Sequence, residues 1–252
     1  MLKWPIWLWL LPAMISQASG KGLSLELRHL WKEQPLATPS GELITGSGEK
    51  ITLSRLAYLL SSPRLLSHHT QKSSGTWLRR ADWFGYVDAS QPNGLNQLEL
   101  GSLPARTYQT LQFSIGLSPE ADNGDPSQYP ADHPLNPNYN NLHWTPQGGY
   151  IFLAAEGHLP GNRATGGFAY HLGKPPNRVV ISLPIDLKLT NPSVLEIDVH
   201  VDRIFGGEHA LNIGTNPSTH SREGDPVARK LRQQLTTAFE LRGIRSAQPA
   251  AR

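Results

Sequence analysis

Apolar and polar positions alternate with a period of two along much of this chain, the mark of half-buried strands. From Gly22 to Trp31, Leu23, Leu25, Leu27, His29 and Trp31 fall on one face, and Ser24, Glu26, Arg28 and Leu30 on the other. Ile51 to Leu60 is rich in apolar residues and lacks helical caps, so it reads as a second strand or two short ones. Trp83-Phe-Gly-Tyr-Val-Asp is a further strand, followed by a turn at Pro92-Asn93-Gly94. Thr107 to Leu117 sets Leu111, Phe113, Ile115 and Leu117 on one side. Val179 to Leu187 and Leu195 to Val201 repeat the pattern, with Pro184 placing the first at a sheet edge and His200 on the polar face of the second.

Helical periodicity comes only near the end. Asp225-Pro226 has the form of an N-cap followed by proline at the first helical position. Val227, Leu231, Leu235 and Phe239 then recur every four residues up to Gly243, which predicts one amphipathic helix. Many short strands and one C-terminal helix predict an all-β fold, an antiparallel β-sandwich with long loops. The expected division is a signal peptide over residues 1–18, a sandwich domain over 19–245 and a frayed tail over 246–252.

Two stretches stand apart from the alternation. Pro119 to Asn141 is a long loop carrying Asp122, Asn123, Asp125, Asp132, Asn136, Asn138, Asn140 and Asn141. Structureless loops of this length usually serve a purpose. A hard cation such as calcium is one candidate, but the spacing of an EF-hand loop is absent and a solvated loop is the simpler reading. From Asn136 to Gly173 the chain passes through His143-Trp144, a turn at Pro146 to Gly149, an apolar run from Tyr150 to Ala155, and Phe168-Ala-Tyr-His171. Histidines and a tryptophan thus flank a buried strand. They are candidates for metal chemistry, although such residues more often serve packing and hydrogen bonding.

Composition narrows the chemistry. In 252 residues, 23 glycines and 21 prolines favour many turns over long helices. The net charge of +3 and the lack of a basic stripe interleaved with aromatics argue against nucleic acid. Lys3, the apolar run Trp4 to Met14 and Ser16-Gln17-Ala18 have the form of a secretory signal cut after Ala18, with an uncleaved anchor as the alternative. There is no cysteine, and both methionines, Met1 and Met14, lie in that signal. A transition metal in the mature chain must therefore be held by histidine, carboxylate or a group made after translation.

Several segments in order resemble the MbnP-like family of exported bacterial proteins. They are Arg28-His29 with Gln34-Pro-Leu, Ile51-Thr-Leu-Ser-Arg-Leu-Ala-Tyr-Leu-Leu-Ser, Leu103-Pro-Ala-Arg-Thr-Tyr and Phe113-Ser-Ile-Gly-Leu. The likeness continues through Leu135-Asn-Pro-Asn-Tyr-Asn, Trp144 to Gly157, Tyr170-His-Leu-Gly and the helix from Asp225. It implies a β-sandwich in the periplasm, secreted or at the cell surface, with no membrane insertion after signal cleavage. It also implies Cu(I) bound by two histidines and a kynurenine, which a di-haem peroxidase-like partner makes from tryptophan. On this resemblance His29 and His171 are the candidate imidazoles, Trp144 the first candidate for oxidation and Trp31 the second. The sequence departs from the family where a second tryptophan is common and Pro146 stands, and where Leu142-His143 replaces Gly-Met.

The expected function is therefore copper sequestration or delivery rather than catalysis. No G-x-S-x-G elbow, H-E-x-x-H motif or cysteine nucleophile is present. The alternative is a metal-independent sandwich module that binds carbohydrate or a partner protein through the loop from Pro119 to Asn141. Two geometric expectations follow. His29 and His171 should face each other across the sandwich interior, with His143 and His171 the next pair to measure. Trp144 should lie near the surface and Trp31 should be packed.

Overall fold

The computed structural model describes residues 20–68, 75–144, 148–160, 166–206 and 210–247. The signal segment, His69 and the tip of the turn after Trp144 lie outside these residues. Two sheets enclose one main core, and among the described residues no helix is long and apolar enough to cross a membrane.

The first sheet is built on β1 (Lys21–Trp31), which the short β2 (Gln34–Pro35) follows. In the second sheet β3 (Leu43–Ile44), β5 (Trp77–Arg79) and β6 (Phe84–Asp88) all pair with β4 (Lys50–Ser67). The chain returns to β1 through β7 (Leu95–Leu103), then adds β8 (Thr107–Ile115) to β4. After the long loop, β9 (Ile151–His158) and β10 (Gly167–Gly173) extend the second sheet, and β11 (Val179–Lys188) lies at its far edge beside β8. β12 (Ser193–His200) joins β1, β13 (Ser218–Thr219) joins β10, and β14 (Phe239–Ser246) closes the first sheet beside β12. The sandwich is mixed rather than purely antiparallel, because β1 runs parallel to β12 and β10 parallel to β13. Pro184 does fall in an edge strand, where a missing N–H costs nothing.

The alternating faces work as period two requires. Leu23, Leu25 and Leu27 of β1 meet Tyr58, Phe113 and Tyr170 in the main core. On the other face of the first sheet, Glu26, Glu196 and Asp198 would repel one another. Arg28 pairs bidentately with Asp198 at 3.0 and 2.9 Å, and Arg245 bridges Glu26 at 2.6 Å and Glu196 at 3.1 Å. The polar row of β12 is thus covered by ion pairs rather than open to water. His200 is buried between Glu33 and Glu240.

The C-terminal helix is shorter than its periodicity predicts. It runs Pro226–Leu235, capped by Asp225, whose carboxylate accepts from the Val227 N–H at 2.8 Å. The hydroxyls of Thr236 and Thr237 then take the carbonyls of Gln233 and Gln234, ending the helix. Phe239 fits a four-residue repeat, but Phe239 and Leu241 also satisfy a strand, and the acidic row on β12 recruits Arg242 and Arg245 into β14. Ser246, expected in the tail, is the last residue of that strand.

The Asn-rich loop is a cover. Leu117, Leu135, Leu142 and Tyr150 pack with Ala57, Leu59, Phe152 and Ala154 in a second core on the outer face of the nine-stranded sheet. The loop's oxygens are spent on its own backbone. Asn136 accepts from Asn138 N–H at 2.9 Å, Asn140 from Leu142 N–H at 2.6 Å, and Asp122 from Tyr150 N–H at 2.8 Å. Arg55 of β4 ties the loop down by donating to the carbonyls of Asn140 and Asn141.

Candidate functional site

His29 and His171 occupy different sides of a sheet. His29 points from β1 into the main core and has no exposed surface. Its Nδ1 donates to the Gly94 carbonyl at 2.5 Å, which leaves Nε2 to accept from the Tyr58 hydroxyl at 3.1 Å. Gly94 can come so close because it has no side chain: a Cβ there would stand 2.0 Å from the Leu36 carbonyl. Burial pushes the His29 pKa down to about 4. Both nitrogens are engaged, so His29 reads as a satisfied core histidine. Trp31, on the same face, packs against Phe205 in the core, with ring centroids 5.9 Å apart.

On β10, Phe168, Tyr170 and Leu172 fill the main core, so His171 faces outward. The expected pair is therefore separated by the nine-stranded sheet itself. The error lies in assigning an inward face to a residue whose two neighbours are the buried ones.

The structure gives His171 other company. Glu156 of β9 lies diagonally across from it, and the carboxylate accepts from His171 Nε2 at 2.9 Å and from Arg55 at 3.3 Å. With its proton on Nε2, the imidazole presents a lone pair at Nδ1. That atom is buried and has no hydrogen-bond partner. Beside it stands His220, with ring centroids 5.4 Å apart.

His220 owes its place to β13. Parallel pairing sets Ala169 against Ser218 and Tyr170 against Thr219, which carries the next residue alongside His171. Ser221 then stitches the segment to β10, donating to the His171 carbonyl at 3.0 Å and accepting from the Gly173 N–H at 2.9 Å. Thr219 is anchored by its hydroxyl to Asp225, the cap of the helix Pro226–Leu235. A two-residue strand carries no periodicity, so nothing in the pattern of the sequence singles out His220.

Trp144 completes the wall. A cleft of about 610 Å3 is lined by Trp144, Ile151, His171, His220, Lys174 and Arg222. Trp144 is half-buried against the second core, and its backbone N–H donates to the Gly149 carbonyl at 3.0 Å. Its six-membered ring lies over Gly173, where a Cβ would stand 2.6 Å from Cη2 and Cζ3. Of the four expected residues, the structure brings His171 and Trp144 to one cleft and leaves His29 and Trp31 in the core.

His143 faces a neighbouring cleft with Asp122 and Lys174. Its Nδ1 is also buried without a partner, and burial lowers its pKa against the pull of Asp122. His143 shares no lining position with His171.

Among the described residues, no three histidine, cysteine, aspartate or glutamate side chains converge as a metal cluster. The cleft offers two imidazoles and one aromatic ring. At metal–nitrogen lengths of roughly 2 Å, rings this close can reach one ion. Lys174 and Arg222 supply positive charge, which penalises a divalent cation more than a monovalent one.

No curated protein matches the chain. Among solved structures, MbnP from Methylosinus trichosporium matches with a TM-score of 0.56 and 14% identity, over 84% of this chain and 86% of that one. At that identity the likeness speaks for the fold. The MbnP family model matches residues 20–221, a span that holds both sheets' central strands, Trp144, His171 and His220. The chain therefore belongs to the MbnP family.

Proposed function

We propose that this protein binds Cu(I) in the cleft between His171 and His220, with Trp144 as the source of a third donor. The single observation that carries the reading is the His171 ring, tied to Glu156 through Nε2 and left with a buried, unpartnered Nδ1. Metal-bound histidines commonly donate their other nitrogen to a carboxylate in this manner. Imidazoles suit a soft ion when no thiolate or thioether is available. The chain has no cysteine.

An indole has no lone pair to give in the ring plane. Oxidative opening of the five-membered ring of Trp144 by peroxide, followed by hydrolytic loss of one carbon as formate, yields kynurenine, with an aromatic amine and a ketone. The proposed catalyst is a di-haem peroxidase-like partner acting after export, which would consume two peroxides, reduced to water, in this four-electron oxidation. Trp144 lines an open cleft, whereas Trp31 is packed in the core, so an external oxidant reaches only the first of the two. In this reading the protein holds or delivers copper outside the cytoplasm and catalyses no reaction.

Peptide mass mapping after co-expression with the partner tests the modification. Wild type should carry kynurenine at residue 144, and Trp144→Phe should carry none while staying folded. Kynurenine at residue 31, or an unmodified Trp144 in a protein that still binds copper tightly, would remove the third donor from the account.

A further inference from the structure

A second cleft, of about 280 Å3, shares no lining residue with the histidine cleft and gathers Arg64, Arg79, Arg80 and Arg178 around Gln112 and Ser114. Four arginines line it, drawn from three places in the chain. Arg64 comes from β4, Arg79 from β5, Arg80 from just beyond it, and Arg178 from just before β11. Like charges this close repel, and folded proteins usually intersperse carboxylates among them. Among the described residues none of the four reaches a carboxylate within ion-pair distance.

The arginines are held but not neutralised. Arg64 donates through Nε to Gln112 at 2.6 Å, and its guanidinium lies 4.7 Å from the centre of the Trp77 ring. Arg80 donates to the Ser102 carbonyl at 2.7 Å. Arg178 reaches Ser61 Oγ at 3.5 Å, while its Nε is buried with no hydrogen-bond partner. A buried N–H on a charged group without an acceptor is costly, so Arg178 stands at the cleft wall with its charge uncompensated. Burial and the facing Arg64 both lower the pKa of Arg178, and only Glu120 opposes them.

We propose that this arginine cleft is a binding site for a small oxyanion with at least two negative charges, carrying phosphate or carboxylate oxygens. The planar fork of a guanidinium matches such oxygens two at a time. The volume lies just below the usual range of ligand pockets, roughly 300–1,000 Å3, which selects a small anion over a large cofactor. Gln112 fixes Arg64, and Trp77 beneath it reports its position.

The test is calorimetric titration of the intact protein at low ionic strength with inorganic phosphate and, separately, with citrate. Saturable one-to-one binding of at least one anion is expected, weakening with added salt and quenching or enhancing Trp77 fluorescence. Arg64→Gln and Arg178→Gln should each weaken it at least tenfold, while Arg229→Gln, on the exposed face of the C-terminal helix, should leave it unchanged. Unaltered circular dichroism separates lost binding from lost folding, and Arg79→Gln at the exposed rim serves if Arg178→Gln fails to fold. Absence of saturable binding by either anion, or equal binding in the arginine-cleft variants and Arg229→Gln, overturns the proposal.

Discussion

At the scale of single residues, Glu156 decides what His171 can do. Its carboxylate draws the proton to Nε2, so Nδ1 is the nitrogen left with a free lone pair and no partner. Glu156→Gln keeps the size but removes the charge and allows the amide to turn its donor toward the ring. The expected result is copper affinity reduced roughly 10–100-fold with little loss of stability, read by chelator competition and thermal unfolding. His29 behaves in the opposite way. In the unfolded chain it titrates near its ordinary value of 6.5, but burial holds the folded value at about 4. As pH falls, the unfolded chain binds the proton first, so stability declines from about pH 6.5 and the loss is complete below about pH 4. The loss amounts to roughly 3 kcal/mol from this group. Denaturant titrations at several pH values should show a shallower decline for His29→Gln than for wild type across that window. Alternation alone put His29 on the core face. It could not show that Gly94 and Tyr58, far away in sequence, would take both nitrogens.

At the scale of elements, the site depends on pieces too short to be read from periodicity. Leu23 to Leu27, Leu111 to Ile115 and Val179 to Leu187 were legible because apolar side chains fill one face of each and mainly polar ones the other. β13 has two residues, and His220 reaches the cleft only because Thr219 is held by Asp225 and Ser221 by β10. Asp225→Ala removes both a helix cap and the anchor of Thr219. It should cost about 1 kcal/mol of stability, the usual worth of an N-cap. It should also weaken copper binding by releasing His220, and Thr219→Val should reproduce the second effect without the first. Unchanged copper affinity in both variants would mean that β13 does not position the ligand. The end of the helix was misjudged for a related reason. Phe239 satisfies a helical repeat and a strand equally, and the deciding partners, Glu26 and Glu196, lie about 220 and 50 residues away.

At the scale of the whole molecule, the two cores divide the labour. The main core between the sheets holds His29 and Trp31 and sets stability. The second core, roofed by the Asn-rich loop, supports Trp144 at the edge of the cleft. Arg55 joins the two tasks, since it ties down the loop and completes the hydrogen bonds of Glu156. The composition leaves no cysteine, and no methionine beyond Met14, for the proposed metal, and the family resemblance already named His171 and Trp144. What the sequence could not supply was which second histidine shares their side of the sheet. Chelator competition for Cu(I) across protein co-expressed with the proposed di-haem partner, in wild type, His220→Ala and His29→Gln, measures that choice directly. The account predicts that His220→Ala loses at least tenfold in affinity while folded His29→Gln binds as wild type does. Wild-type affinity in His220→Ala together with loss in His29→Gln would contradict it and return the site to the interior of the sandwich.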